Sequence, residues 1–180
     1  MLKYAVVGLV LAIATGSGTQ AADLISYPTS THQAVPIAPA TSKVDWNGFY
    51  AGIYGIGRST GAHGTQYGAG VDLGVNTTFN FVLVGAEVSV EGLGGGSGST
   101  SYAKAIGRGG VLVGDNTLLY GAAGYGIDTG TPDETDVLAG GGLEYALTNG
   151  VSLRAQYLHA FPATGADPKD EVTLGAQFHF

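Results

Sequence analysis

The groups able to do chemistry in this chain are few, and most lack the partners that chemistry needs. Gly92-Leu-Gly-Gly-Gly-Ser-Gly98 has the glycine content of a phosphate-cradling loop. Such a loop needs a Gly-Lys-Ser/Thr and a helix start after it, so that the lysine and the backbone N–H groups converge on phosphate. Neither follows here, and the segment reads as a flexible connection. The stretch from Asp128 to Asp136 gathers four acids but lacks the spacing and the terminal glutamate of a calcium loop. The four histidines, His32, His63, His159 and His179, show no two-ligand spacing such as His-x-x-x-His. His159 could serve as a base only beside a nucleophile and an orienting third group. Ser152 falls on the opposite face of its strand, and Thr164 falls in a loop. The chain is therefore read as non-enzymatic, with no catalytic residue, cofactor or metal site.

The remaining ionisable residues carry a different signal, because they alternate with apolar ones. In 151–161, Val151, Leu153, Ala155 and Tyr157 share one face while Ser152, Arg154 and Gln156 share the other. In 135–147, Val137, Ala139, Gly141, Leu143, Tyr145 and Leu147 oppose Asp136, Gly140, Glu144 and Ala146. Antiparallel partners point the same way, so a tight turn at Thr148-Asn-Gly150 places Leu147 against Val151 and Glu144 against Arg154. By the same reasoning Glu87 and Lys104 are near mirror positions about the Gly-rich loop, and Arg58, Asp72 and Arg108 join the same polar side. The network expected there is Asp72, Glu87, Lys104, Arg108, Glu144 and Arg154, with Glu87 meeting Lys104 or Arg108. Ions enclosed by protein must pair, since an isolated one costs several kcal/mol.

Glu171-Val-Thr-Leu-Gly-Ala-Gln-Phe-His-Phe180 has the same alternation, with Val172, Leu174, Ala176, Phe178 and Phe180 on one face. A strand that meets lipid outside and a polar filling inside has this pattern. Eight such strands are predicted, at about 48–58, 65–75, 79–90, 100–112, 118–128, 135–147, 151–161 and 170–180. Turns at Asn76–Thr78, Gly114–Thr117 and Thr148–Gly150 are short. Those at Arg58–Gly64, Glu91–Thr100, Asp128–Glu134 and Phe161–Lys169 are longer and hold Pro132, Pro162 and Pro168, away from the strand interiors. Aromatics are expected to form girdles at both ends: Trp46, Phe49, Phe79, Phe178 and Phe180 at one, Tyr67, Tyr102, Tyr125, Tyr157 and Phe161 at the other.

Composition narrows the class. Charged residues make up 12% of the 180, about half the share in soluble domains. Hydrophobic residues reach 44%, yet past the first residues no run is long enough for a membrane helix. Met1-Leu-Lys3, the apolar Tyr4–Ala14 and the small residues to Ala22 read as a signal peptide over 1–22. Residues 23–45 hold three prolines and read as an extended tail, with the barrel domain at 46–180. With no cysteine, neither disulfides nor lipoprotein acylation enter. A net charge of −7 argues against nucleic acid as a partner.

Trp46-Asn-Gly-Phe-Tyr-Ala-Gly-Ile-Tyr-Gly after a Pro-rich exported tail, with Phe-His-Phe180 at the other end, resembles the small eight-stranded outer-membrane barrels of Gram-negative bacteria. These are the porin-family proteins whose barrel is similar to the OmpA transmembrane domain. The resemblance covers about 46–180 and implies an all-β, closed antiparallel up-and-down transmembrane β-barrel in the bacterial outer membrane. It also implies a barrel-assembly signal, carried onto Val172, Leu174, Phe178 and Phe180, and an aromatic girdle that includes Trp46, Phe49, Tyr157 and Phe161. The partners expected are outer-membrane lipid, lipopolysaccharide and the barrel-assembly machinery. Eight strands enclose only enough room for their own side chains. The expected role is therefore structural, in envelope integrity, with the lumen largely filled by paired charges. The alternatives are a narrow channel for ions or small solutes, a lipid-modifying enzyme, and a soluble lipocalin-like carrier with the faces reversed.

Overall fold

The computed structural model describes residues 44–61, 64–95, 98–128, 134–148, 150–164 and 167–180, without the side chains of Thr148 and Thr164. The segment expected to be a signal peptide and nearly all of the expected Pro-rich tail lie outside these residues, as do His32, His63 and Pro132.

Eight strands follow one another: β1 Gly48–Thr60, β2 Gly64–Phe79, β3 Val82–Gly94, β4 Thr100–Val113, β5 Thr117–Asp128, β6 Glu134–Thr148, β7 Val151–Thr164 and β8 Lys169–His179. Each pairs antiparallel with its sequence neighbour, and β8 pairs with β1 to close the barrel. Closure leaves no unpaired sheet edge, as a backbone surrounded by lipid requires. One end carries the tight turns and the start of β1, called here the turn end; the other is the loop end.

Two differences from the expected layout have local causes. The β2–β3 turn lies at Asn80-Phe81, not at 76–78, so β2 runs on to Phe79. Asn80 adopts φ +58°, a left-handed conformation that asparagine tolerates well. At the β6–β7 turn Glu144 does face Arg154, but Val151 pairs with Thr148, not with Leu147. A bulge between Ala146 and Thr148 absorbs one residue and leaves Leu147 outside the ladder. The loop-end connections are also shorter than expected, because the strands extend into them.

Outward positions hold Ile53, Val71, Leu73, Val90, Leu119, Leu143, Leu153 and Leu174, all largely exposed. An apolar surface this continuous is far beyond the patches a water-soluble monomer carries. The interior is mixed rather than wholly ionic. Leu83, Ile106, Leu118, Leu138 and Leu158 form one buried apolar cluster, and Ile56, Leu93 and Tyr102 a second.

Inward tyrosines lie across glycines. Tyr50 is the cross-strand partner of Gly74, Tyr54 of Gly70 and Tyr120 of Gly142. A Cβ at any of those glycines would overlap the facing ring. Glycine there makes room for a flat side chain in a narrow barrel. Gly74→Val should therefore displace Tyr50 and cost about 1–3 kcal/mol by overpacking. A lower urea midpoint of the detergent-refolded protein measures it.

Candidate functional site: the ionic lumen and the barrel rims

The lumen holds two layers of ion pairs. In the loop-side layer, Arg58 and Lys104 alternate with Glu91 and Glu171. Arg58 bonds Glu91 and, at 2.9 Å, Glu171; Lys104 bonds Glu171 and, at 2.8 Å, Glu91. Tyr54 donates to Glu91 at 2.9 Å, and the Tyr102 ring lies 4.1 Å from the Arg58 guanidinium. Further toward the loop end Lys169 donates to Glu134 and Asp136, each at 2.9 Å, and Tyr102 donates to Asp136 at 2.7 Å.

The turn-side layer centres on Glu144 and Glu87. Arg154 reaches Glu87 at 2.5 Å and Glu144 at 3.1 Å; Arg108 reaches Glu144 at 3.2 Å and Glu87 at 4.0 Å. Asp72 lies 3.9 Å from Arg154 and accepts from Gln177 at 3.2 Å. Tyr50 donates to Glu87 at 2.6 Å, and its ring sits beneath both Arg108 and Arg154. These charge-assisted bonds link strands on opposite sides of the barrel, which fixes its cross-section as backbone ladders alone would not. Between the layers, Asp72, Glu87, Lys104 and Arg154 border a void of about 10 Å³, room for about one water.

All six residues expected in the network are buried in the lumen. Glu87 and Lys104, however, belong to different layers. The β3–β4 register sets Glu87 opposite Ile106 and Lys104 opposite Ser89, one same-face step apart, so Lys104 pairs with Glu91 and Glu171, while Glu87 pairs with Arg154 and, of the two cations expected for it, comes near Arg108. The expected network omits Glu91, Glu171 and Lys169, and also Asp136, although alternation sets Asp136 on the polar face with Glu144. Parity could have found them: Glu91 shares its face with Glu87, and Glu171 with Gln177.

The turn end is closed by the residues preceding β1. Val44 and Trp46 are buried within the main apolar cluster. Trp46 was expected in the girdle and is instead 4% exposed, edge-on to His179 with ring centroids 5.4 Å apart. It precedes the ladder, so strand parity does not govern where its side chain points. Two side chains clasp this segment. Asn47 Oδ1 accepts from the Thr78 amide and hydroxyl at 2.7 and 2.8 Å, and Asp45 accepts from the Asn47 amide at 3.0 Å. The Asn47 backbone N–H, and then its side-chain amide, hold the Asp45 carboxyl below its ordinary range. Tyr102 also leaves the girdle, since its inward parity buries it. Phe49, Phe79, Phe178 and Phe180 at the turn end, and Tyr67, Tyr125, Tyr157 and Phe161 at the other, are exposed on the outside. Of the residues assigned to barrel assembly, Val172, Leu174, Phe178 and Phe180 all face outward and are exposed.

Ser152, His179 and Glu144 come within 3.0 Å of one another, but not in a nucleophilic arrangement. His179 turns the same nitrogen, Nε2, to both partners. A serine triad needs one imidazole nitrogen for the nucleophile and the other for the acid. Ser152 is fully buried as well. His159 lies at the loop end, facing outward, with Nδ1 2.8 Å from Asp170.

No protein-family model matches the sequence, and no curated protein is detectably similar to it. Solved structures do match. The attachment invasion locus protein Ail of Yersinia pestis aligns over 73% of this chain and 96% of its own, at 14% identity and a TM-score of 0.55. Neisserial surface protein A aligns over 73% of this chain and 97% of its own, at 15% identity and a TM-score of 0.52. At such identities the likeness is one of fold.

Proposed function

We propose that this chain, which has the fold of small eight-stranded outer-membrane barrels, is an exported barrel of the bacterial outer membrane with a structural, envelope-stabilising role. One observation carries the reading: an outward belt of exposed aliphatic side chains surrounds a lumen packed with paired ions. The belt needs a hydrocarbon surrounding and the packed lumen leaves no wide passage, so the barrel holds the membrane together without conducting solutes. The surrounding lipid and lipopolysaccharide are its standing partners. The barrel-assembly machinery engages it during insertion through Val172, Leu174, Phe178 and Phe180. No catalytic role is assigned.

Purified wild-type protein in planar bilayers should show no steady conductance steps, and it should require detergent for extraction from membranes. Stable single-channel openings in the wild type would favour the narrow-channel reading. Release by carbonate or salt alone would favour a soluble carrier.

A further inference from the structure

Residues 44–47 enter the barrel at the turn end, before the strand ladder begins at Gly48. Val44 and Trp46 are buried in one cluster with Leu83, Leu118 and Ala146, inward residues where β3, β5 and β6 meet their turns. Behind Trp46 lies His179, whose Nε2 is 3.0 Å from both Ser152 Oγ and Glu144 Oε1. Ser152 and Glu144 are 0% exposed. This strap thus stands between the turn-side ion layer and the solvent at the barrel mouth.

For a buried element it is loosely held. It lies outside the ladder, so it can leave without breaking a strand pair. Its clasp is the pair of bonds from the Thr78 amide and hydroxyl to Asn47 Oδ1, at 2.7 and 2.8 Å. A buried tryptophan usually satisfies its N–H. The Trp46 indole nitrogen is buried with no hydrogen-bond partner among the described residues, a cost that contact with water would remove. Val44, Asp45, Trp46 and Asn47 also border an open groove of about 430 Å³, shared with Asn80, Phe81, Leu112 and Gly114. The strap is therefore packed toward the lumen and free along the groove, as segments that open locally at low cost are.

We propose that residues 44–47 are a latch on the lumen. Seated, the latch keeps the turn-side ion layer dry. Swung out into the groove, it admits water and small solutes as far as Ser152, Glu144 and Arg154. Water admitted there raises the local dielectric and weakens the bonds of Glu144 to Arg108 and Arg154. The loop-side layer of Arg58, Lys104, Glu91 and Glu171 stays in place, so opening wets one half of the barrel without making a pore. The latch acts on the lumen and does not depend on what surrounds the outer wall.

The test uses the full chain, which has no native cysteine, refolded in detergent with Ser152→Cys as a lumen reporter. A small methanethiosulfonate reagent should label it slowly behind the intact latch. Asn47→Ala removes both Thr78 bonds and should quicken labelling about tenfold, the weight of two ordinary hydrogen bonds. Thr78→Val, which loses the hydroxyl bond and keeps the amide one, should give an intermediate rate. Thr173→Cys, at the void between the two layers, should stay protected with either latch. In the cysteine-free chain, acrylamide quenching of Trp46 should rise with Asn47→Ala while heat-modifiable gel mobility is unchanged. Fast labelling at 152 behind the intact latch, or equal gains at 152 and 173, would overturn the proposal. So would unchanged quenching in folded Asn47→Ala, or a rise in quenching with no gain in labelling at 152.

Discussion

Leu174→Arg should destabilise the barrel by about 2–4 kcal/mol in a lipid bilayer, while Phe178→Arg, nearer the interface, should cost about 0–1 kcal/mol. Leu174 lies midway along β8, faces outward and is 64% exposed. In water a surface exchange of this kind falls within about 0.5 kcal/mol of neutral. The size of the loss, and its fall with distance from the midplane, therefore reports which solvent surrounds the molecule. Urea titration of protein reconstituted in liposomes gives both values. Equal and negligible effects at the two positions would contradict a hydrocarbon surrounding.

Glu144→Ala should cost about 3–5 kcal/mol, because it leaves Arg108 and Arg154 buried with a shared counter-charge removed. Glu144 is fully buried and bonds both arginines, Ser152 and His179. Glu144→Gln should cost less, since an oxygen acceptor remains for the same donors. Adding Arg154→Met to Glu144→Ala should recover part of the loss, because the stranded cation leaves with it. Trp46 is the sole tryptophan and packs against His179, so its fluorescence follows unfolding from beside the altered site. A loss under about 1 kcal/mol would mean that the lumen is wet enough to screen its charges.

Much of this architecture could be read from the sequence because strand alternation is a local property. Ser152, Arg154 and Gln156 against Val151, Leu153 and Ala155 reveal a wall with two different sides, whatever lies across from it. The Glu144–Arg154 pairing was likewise readable, since one short turn separates its strands. What escaped depends on longer-range geometry. Glu87 and Lys104 find separate partners because the β3–β4 register staggers them by one same-face step; Lys104 meets Glu91 within the hairpin, whereas Arg154 and Glu171 reach the pair from β7 and β8, which the hairpin pattern does not contain. The Ala146–Thr148 bulge leaves no trace in polarity. Trp46 looked like a girdle residue because its neighbour Phe49 is one; that it folds inward depends on an open barrel mouth and on Thr78 clasping Asn47. The inward leucines of β5–β7 were hidden by apolar residues on both faces, as at Leu118-Leu119, where parity gives no contrast.

The pairing of β1 with β8 has a consequence for biogenesis. Tyr50 lies beside His179, so the seam joins the first-made strand to the last. A chain folding in order from its first strand cannot complete this cylinder progressively; β1 must wait with one flank bare until β8 arrives. Exposed flanks of that kind invite aggregation. Any delay at the final strand therefore prolongs the most vulnerable moment of the unfinished sheet.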